Sequence, residues 1–260
     1  MSDVLTSALS ECGATLVCFD STDSTNMRAR EYAKNTDAKC PAFFIADSQT
    51  AGRGRLGRSF YSPECAGLYM TLLIKVSHDT ELFSRITAIA AVCASDAVYE
   101  SFGMRAGIKW VNDLYIGERK VAGILAESFV ERGERYVALG IGINIFKSEL
   151  PEDIASKAVS LLTNDGGNEW REERDKLAFC LAKKLLDATK KLDFTEYIEK
   201  YREYSCVIGK HIVFLRGGEE ISATALDVSD SGALLVLCDD GERAELSSGE
   251  ITLFVKREEI

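Results

Sequence analysis

Proline is scarce, with 3 in 260 residues, too few for a Pro-rich linker or a Pro-rich disordered tail. Histidine is scarcer still: His78 and His211 stand far apart in sequence. The 8 cysteines, Cys12, Cys18, Cys40, Cys65, Cys93, Cys180, Cys206 and Cys238, include no Cys-x-x-Cys pair. A zinc-binding pattern is therefore missing, and reduced, buried thiols of a cytoplasmic protein are expected instead. No apolar run is long enough to cross a bilayer, and Met1 to Leu5 show no basic segment leading into an apolar one. The expectation is a protein with neither signal peptide nor membrane span. Basic charge is also in deficit, 31 residues against 41 acidic, for a net −10. That balance argues against general nucleic-acid binding, which relies on a basic footprint. A local basic pocket for one nucleotide remains compatible with it.

What is present is ordinary globular material, 46% hydrophobic and 28% charged, enough for one large domain and a small one. Segment 14–19 reads as a strand, and Ser24 or Thr25 is placed to cap a helix through Met27, Ala29, Tyr32 and Ala33. Strands are predicted at 42–46 and 68–76. A long helix follows, capped at Asp79-Thr80, with Ile86, Ile89, Ala90, Cys93 and Ala97 at helical spacing and Gly103 as its end. Short strands at 108–110, 114–116, 121–129 and 136–145 are separated by hairpin turns, and helices at 171–191 and 194–204 come after them. The pattern predicts an α+β fold, a mixed and largely antiparallel sheet with helices on one face. From 205 the texture becomes five short strands punctuated by glycines, the pattern of a small β-barrel. The expected division is a catalytic domain at 1–204 and a small C-terminal domain at 205–260.

Four segments carry chemistry. In Gln49-Thr50-Ala51-Gly52-Arg53-Gly54-Arg55-Leu56-Gly57-Arg58, glycines permit close backbone approach and arginines supply forked donors for anionic oxygens. Read alone, it fits a loop closing over an anion as well as a solvated basic loop or a short RNA-binding tract. It is not a Walker A loop, since no Gly-Lys-Ser/Thr follows. In Lys109-Trp110-Val111-Asn112-Asp113-Leu114-Tyr115, Asn112 and Asp113 offer oxygens suited to Mg²⁺, or simply make a turn. In Lys120 to Glu127, a lysine opens an apolar strand with Gly123 inside it; a hairpin-end lysine can equally be solvated. In Gly140-Ile141-Gly142-Ile143-Asn144-Ile145, small residues alternate with isoleucines, leaving one face bare beneath a ligand or beneath a helix.

Together with Asp23-Ser24-Thr25-Asn26, these segments resemble, in order and across residues 20 to 146, the successive motifs of biotin–protein ligases. The resemblance implies a small SH3-like C-terminal β-barrel, and biotin, ATP, Mg²⁺ and a biotin carboxyl carrier protein as reactants. It places Ser24, Thr25 and Asn26 at the biotin pocket, with Gln49, Gly52, Arg53, Gly54 and Arg55 in the loop that orders over biotin. Tyr69 and Gly123 lie against the ligand, and Lys120 meets the biotin carboxylate and the α-phosphate. Arg55, Arg58, Lys109, Trp110, Asn112, Lys120 and Asn144 take the ATP side, and Asp113 holds Mg²⁺. Arg53, Arg55 and Lys120 carry the catalytic electrostatics. Two positions depart from the family pattern. Val111 replaces a usual proline. Ala158 stands where some members stack an aromatic on adenine, Trp170 falling beyond that point. Only Met1 to Thr22 precede the pocket motif, too few for a three-helix DNA reader, so the form without a DNA-binding domain is expected. Exposed strand edges are compatible with a homodimer. Lipoate or octanoate transfer on the same fold is the alternative, and an RNA- or protein-binding module using the Arg-Gly tract is the non-enzymatic one.

Overall fold

A computed structural model describes residues 3–76, 81–191 and 194–253. Twelve strands and six α-helices are described: α1 (Asp3–Glu11), β1 (Thr15–Thr22), α2 (Thr25–Tyr32), β2 (Ala42–Gln49), β3 (Gly67–Val76), α3 (Glu81–Phe102), β4 (Gly107–Lys109), β5 (Asp113–Ile116), β6 (Arg119–Glu131), β7 (Glu134–Asn144), α4 (Glu152–Ala155), α5 (Trp170–Lys191), α6 (Phe194–Tyr204), β8 (His211–Arg216), β9 (Glu219–Val228), β10 (Leu234–Cys238), β11 (Arg243–Leu246) and β12 (Ile251–Leu253). The predicted cap of α3 at Asp79-Thr80 lies outside the described residues.

Seven strands form one sheet in the order β1-β2-β3-β7-β6-β5-β4. Only β1 and β2 run parallel; the other neighbours are antiparallel. After β3 the chain crosses through α3 to the far edge at β4, then returns by hairpins until β7 pairs with β3 over its full length. That return brings residues 67–76 of β3 against 135–144 of β7, distant in sequence and adjacent in the sheet.

Period-2 alternation divides the sheet into two faces. Phe43, Ile45, Leu68, Met70, Leu72, Ile124, Ile141 and Ile143 pack in the main core with residues of α1, α3, α5 and α6. Burying each large apolar side chain contributes roughly 1.5–3 kcal/mol, so this layer dominates the fold's stability. On the opposite face Ala42, Phe44, Leu73, Phe129 and Ala138 meet Ala29 and Ala33 of α2. α1, α3, α5 and α6 thus share one face, as expected, and α2 lies on the other. That helix spans only eight residues and covers only part of that face. The rest is left for the site.

The C-terminal strands form a five-stranded antiparallel sheet, β11-β10-β9-β8-β12. No ladder joins β11 to β12 among the described residues, so the expected barrel is present here as an open sheet. The last of the five short strands read from the sequence, 251–255, runs at its end beyond the described residues. The two sheets are tied by the Trp110 indole, which donates to the Gly232 carbonyl at 3.0 Å, and by Cys206 N–H donating to the Ile108 carbonyl at 2.9 Å.

Candidate active site

The face that α2 leaves open carries the small residues. Tyr69 and Thr71 of β3 pair with Gly142 and Gly140 of β7, which pair in turn with Gly123 and Leu125 of β6. All point away from the main core by the alternation above. They floor a cleft with two lobes. The inner lobe, with an empty volume of ≈ 480 Å³, is bordered by Ser24, Thr25, Asn26, Gln49, Arg53 and Tyr69, among others. The outer lobe is lined by Arg58, Lys109, Trp110, Asp113, Asn144 and Lys157, with Gly249 and Glu250 contributed by the C-terminal sheet. Gly54, Arg55, Phe60, Asn112 and Lys120 border both lobes.

The inner lobe is wired by hydrogen bonds before any ligand is considered. Thr25 N–H donates to Gln49 Oε1 at 2.9 Å, and Gln49 Nε2 donates to Ser62 Oγ at 2.9 Å. Thr71 Oγ lies 2.7 Å from both Asn26 Oδ1 and Thr25 Oγ1. Asn26 Oδ1 can only accept, so the single Thr71 proton goes there, and the Thr25 hydroxyl donates back to Thr71. Asn26 Nδ2 donates to Glu127 Oε2 at 2.8 Å. What remains for a ligand is the second Nε2 proton of Gln49, lone pairs on Thr25, and the Ser24 hydroxyl. Ser24 holds the N-cap position of α2 and makes no side-chain capping bond. A small polar ring with both donors and acceptors matches that inventory. Gly140 is required here, since a Cβ on it would stand 2.4 Å from Asn26 Oδ1.

The Gly-Arg loop covers this floor. Gly54 N–H donates to the Arg58 carbonyl at 2.7 Å and Phe60 N–H to the Gly52 carbonyl at 2.9 Å, folding the loop on itself. Gly52 lies behind the cleft rather than on its wall: a Cβ there would meet the Phe60 carbonyl at 2.3 Å. Each arginine has its own anchor. Arg53 pairs with Glu127 at 3.1 Å. Arg55 donates to Asn112 Oδ1 at 3.0 Å and to the Gly249 carbonyl at 3.3 Å. Arg58 pairs with Glu250.

In the outer lobe, Lys120 Nζ forms an ion pair with Asp113 Oδ1 at 2.7 Å. Asn112 is fixed by exchanging bonds with Ile124, its Nδ2 donating at 2.8 Å and its carbonyl accepting at 2.9 Å. Lys109 sits against the Tyr115 ring, and burial holds its ammonium below the ordinary lysine range, with Asp113 pulling the other way. Burial also pushes the Tyr115 phenol up to about 12. Trp110 borders the lobe, but its indole is buried in the core. Its peptide to Val111 is cis. Ala158 lines the outer lobe, whereas Trp170 is buried beside Arg171 and Arg174.

Sequence reasoning gave no role to Phe60, Thr71, Glu127, Gly249 or Glu250. The Phe60 ring lies over the bare strip, with its edge 2.4 Å from where a Gly142 Cβ would be. Thr71 did leave a signal, as the hydroxyl residue inside the apolar run 68–74, and it is fully buried.

The chain matches the Biotin/lipoate A/B protein ligase family over residues 18–144 and the Biotin protein ligase C terminal domain over residues 207–253. It is 30% identical over 250 residues to the bifunctional ligase/repressor BirA of Bacillus subtilis, covering 93% of this chain and 74% of that one. It is 30% identical over 221 residues to the biotin–[acetyl-CoA-carboxylase] ligase of Mycobacterium tuberculosis, covering 80% and 77%. The solved biotin protein ligase of Aquifex aeolicus in complex with biotin and ATP superposes with a TM-score of 0.74 at 28% identity, over 92% of this chain and 98% of that one. On this likeness, and on the site above, the chain belongs to the biotin protein ligase family.

Proposed function

We propose that the chain activates biotin with ATP and transfers it to a lysine of a biotin carboxyl carrier protein. The observation that carries this reading is the junction: Arg55, Asn112 and Lys120 border both lobes. A carboxylate reaching out of the inner lobe and an α-phosphate reaching in from the outer one would meet there. The carboxylate oxygen attacks the α-phosphorus, a P–O bond forms, and the bond from the α-phosphorus to the bridging oxygen breaks, that oxygen and its electron pair leaving with pyrophosphate. The lysine amine of the carrier then attacks the acyl carbon, loses a proton, and AMP leaves. Neither step needs an enzyme nucleophile. Lys120 and Arg55 stabilise charge that develops on the phosphate, and the cleft supplies orientation. Closing the lid keeps water from the mixed anhydride.

Asp113 fits a Mg²⁺ role as a carboxylate lining the nucleotide lobe, with its Oδ1 2.7 Å from the Lys120 ammonium. Such an ion is held by one carboxylate together with substrate phosphates, and when bound it neutralises phosphate charge. Among the described residues the β1 edge is paired on one side only, and a homodimer through sheet extension there belongs to the same proposal, testable by sedimentation. Lipoate or octanoate has no polar ring to use Ser24, Thr25 and Gln49, and a site built for such groups rejects ligands lacking them. The test is pyrophosphate release with ATP and either acid. Release with biotin and not with lipoate supports the reading; preference for lipoate overturns it.

A further inference from the structure

We infer that Glu127 is a positioning residue that makes Arg53 a clasp for the lid over the inner lobe, rather than a cation spent on the phosphates. This rests on the inner lobe being the biotin pocket. The first ground is charge: Arg53 already faces a carboxylate at 3.1 Å, the arginine exposed and Glu127 half-buried. The second is place. Arg53 borders the inner lobe alone, whereas Arg55 borders both lobes and Arg58 the outer one. The other contact of Arg53 is with the Met27 sulfur at 3.4 Å, on α2 and not on the nucleotide side.

The third ground is wiring. Glu127 uses its two oxygens for two different elements: Oε1 for the lid through Arg53, Oε2 for the foot of α2 through Asn26. Asn26 in turn fixes the Thr71 and Thr25 hydroxyls that shape the pocket floor. One carboxylate therefore sets both the polarity of the pocket and the closure of the lid above it. Loss of its charge leaves the lid arginine without its ion pair, while an uncharged acceptor can still serve Asn26. This separation makes the roles distinguishable.

The experiment uses the full chain with Glu127→Gln, Arg53→Met and the double variant, each checked for unchanged thermal unfolding. Glu127→Gln keeps an acceptor for Asn26 and removes the charge for Arg53. Each single variant is expected to weaken biotin binding and speed release of preformed biotinyl-AMP by about fivefold, the upper scale of a partly exposed ion pair. The double variant is expected to be no worse than the singles, the signature of one shared contact. Single-turnover adenylate formation at saturating biotin and ATP tests the expected catalytic role of Arg53: a clasp lowers that rate less than it lowers biotin affinity. Trypsin should cut the unliganded lid after Arg55 or Arg58 faster in either single variant than in the unaltered chain, a readout that needs no biotin. A loss of single-turnover rate with unchanged biotin affinity and release would make Arg53 a transition-state cation and overturn the clasp. Additive losses, or a lid no more open to trypsin, would overturn it too. An unaltered chain that binds no biotin defeats the functional reading instead, and the trypsin comparison still decides the clasp.

Discussion

Lys120, on β6, holds its ammonium 2.7 Å from the Asp113 carboxylate of β5, at the border of the two lobes. The pair keeps a cation poised where a carboxylate and a phosphate would meet. Lys120→Met should lower the single-turnover rate of adenylate formation about 10²–10³-fold, the scale for one preorganised charge at a reacting centre. Rapid-quench measurement of biotinyl-AMP checks it. A loss confined to the biotin KM would place Lys120 in ground-state binding instead.

Gly140 faces Asn26 so closely that a methyl group would stand 2.4 Å from its Oδ1. Gly140→Ala must push the amide off Thr71 and Glu127. We expect at least about tenfold weaker biotin binding and a stability loss of about 1–3 kcal/mol from overpacking. Titration calorimetry and thermal unfolding read the two effects. Unchanged biotin affinity would show that the Asn26 network does not shape the pocket.

The elements were legible where the signal was local. The apolar runs 42–46 and 68–76 and the helical spacing of Ile86, Ile89, Cys93 and Ala97 mark the strands and helix that form. The isoleucines and glycines of 140–145 announced one filled face and one bare one, and both are seen. α1 went unread because its pattern is short: Leu5 and Leu9 are one helical turn apart and give a single buried pair. The pairing of β3 with β7 was not legible, since it joins residues about 70 positions apart through long-range contacts that no local propensity encodes. For the same reason Glu127 carried no visible role, as its partners Asn26 and Arg53 come from distant segments. The contact of Arg58 with Glu250 likewise depends on how the second sheet docks.

Lys109 gives the site a pH signature. Burial holds its ammonium below the ordinary 10.5. A lysine lowered in the folded state destabilises the fold while charged. That cost is fully present below the lowered value and disappears as pH rises towards 10.5. Phosphate oxygens favour the charged form, so nucleotide binding should take up protons on the alkaline side of neutrality. Calorimetry in buffers of different ionisation enthalpy should show that uptake, and Lys109→Met should abolish it. The variant should also unfold at a higher temperature at neutral pH while binding ATP more weakly. Proton uptake that survives in Lys109→Met would assign it to another group.

Arg55 is the lid residue whose loss should be felt as leakage. It is anchored to Asn112 Oδ1 and to the Gly249 carbonyl, one contact on the floor of the cleft and one on the C-terminal sheet. Arg55→Gly removes both anchors along with a cation at the junction, and it frees the loop backbone further. Biotinyl-AMP should then escape before the carrier arrives and acylate exposed lysines of any protein nearby. Arg58 provides the contrast. Its pair with Glu250 is exposed, 68% on the arginine side, and such pairs contribute only about 0–1 kcal/mol. With carrier and an unrelated lysine-rich bystander in one tube, Arg55→Gly should label the bystander heavily and Arg58→Ala should not. Selective labelling of the carrier by Arg55→Gly would remove Arg55 from the lid's hold on the adenylate.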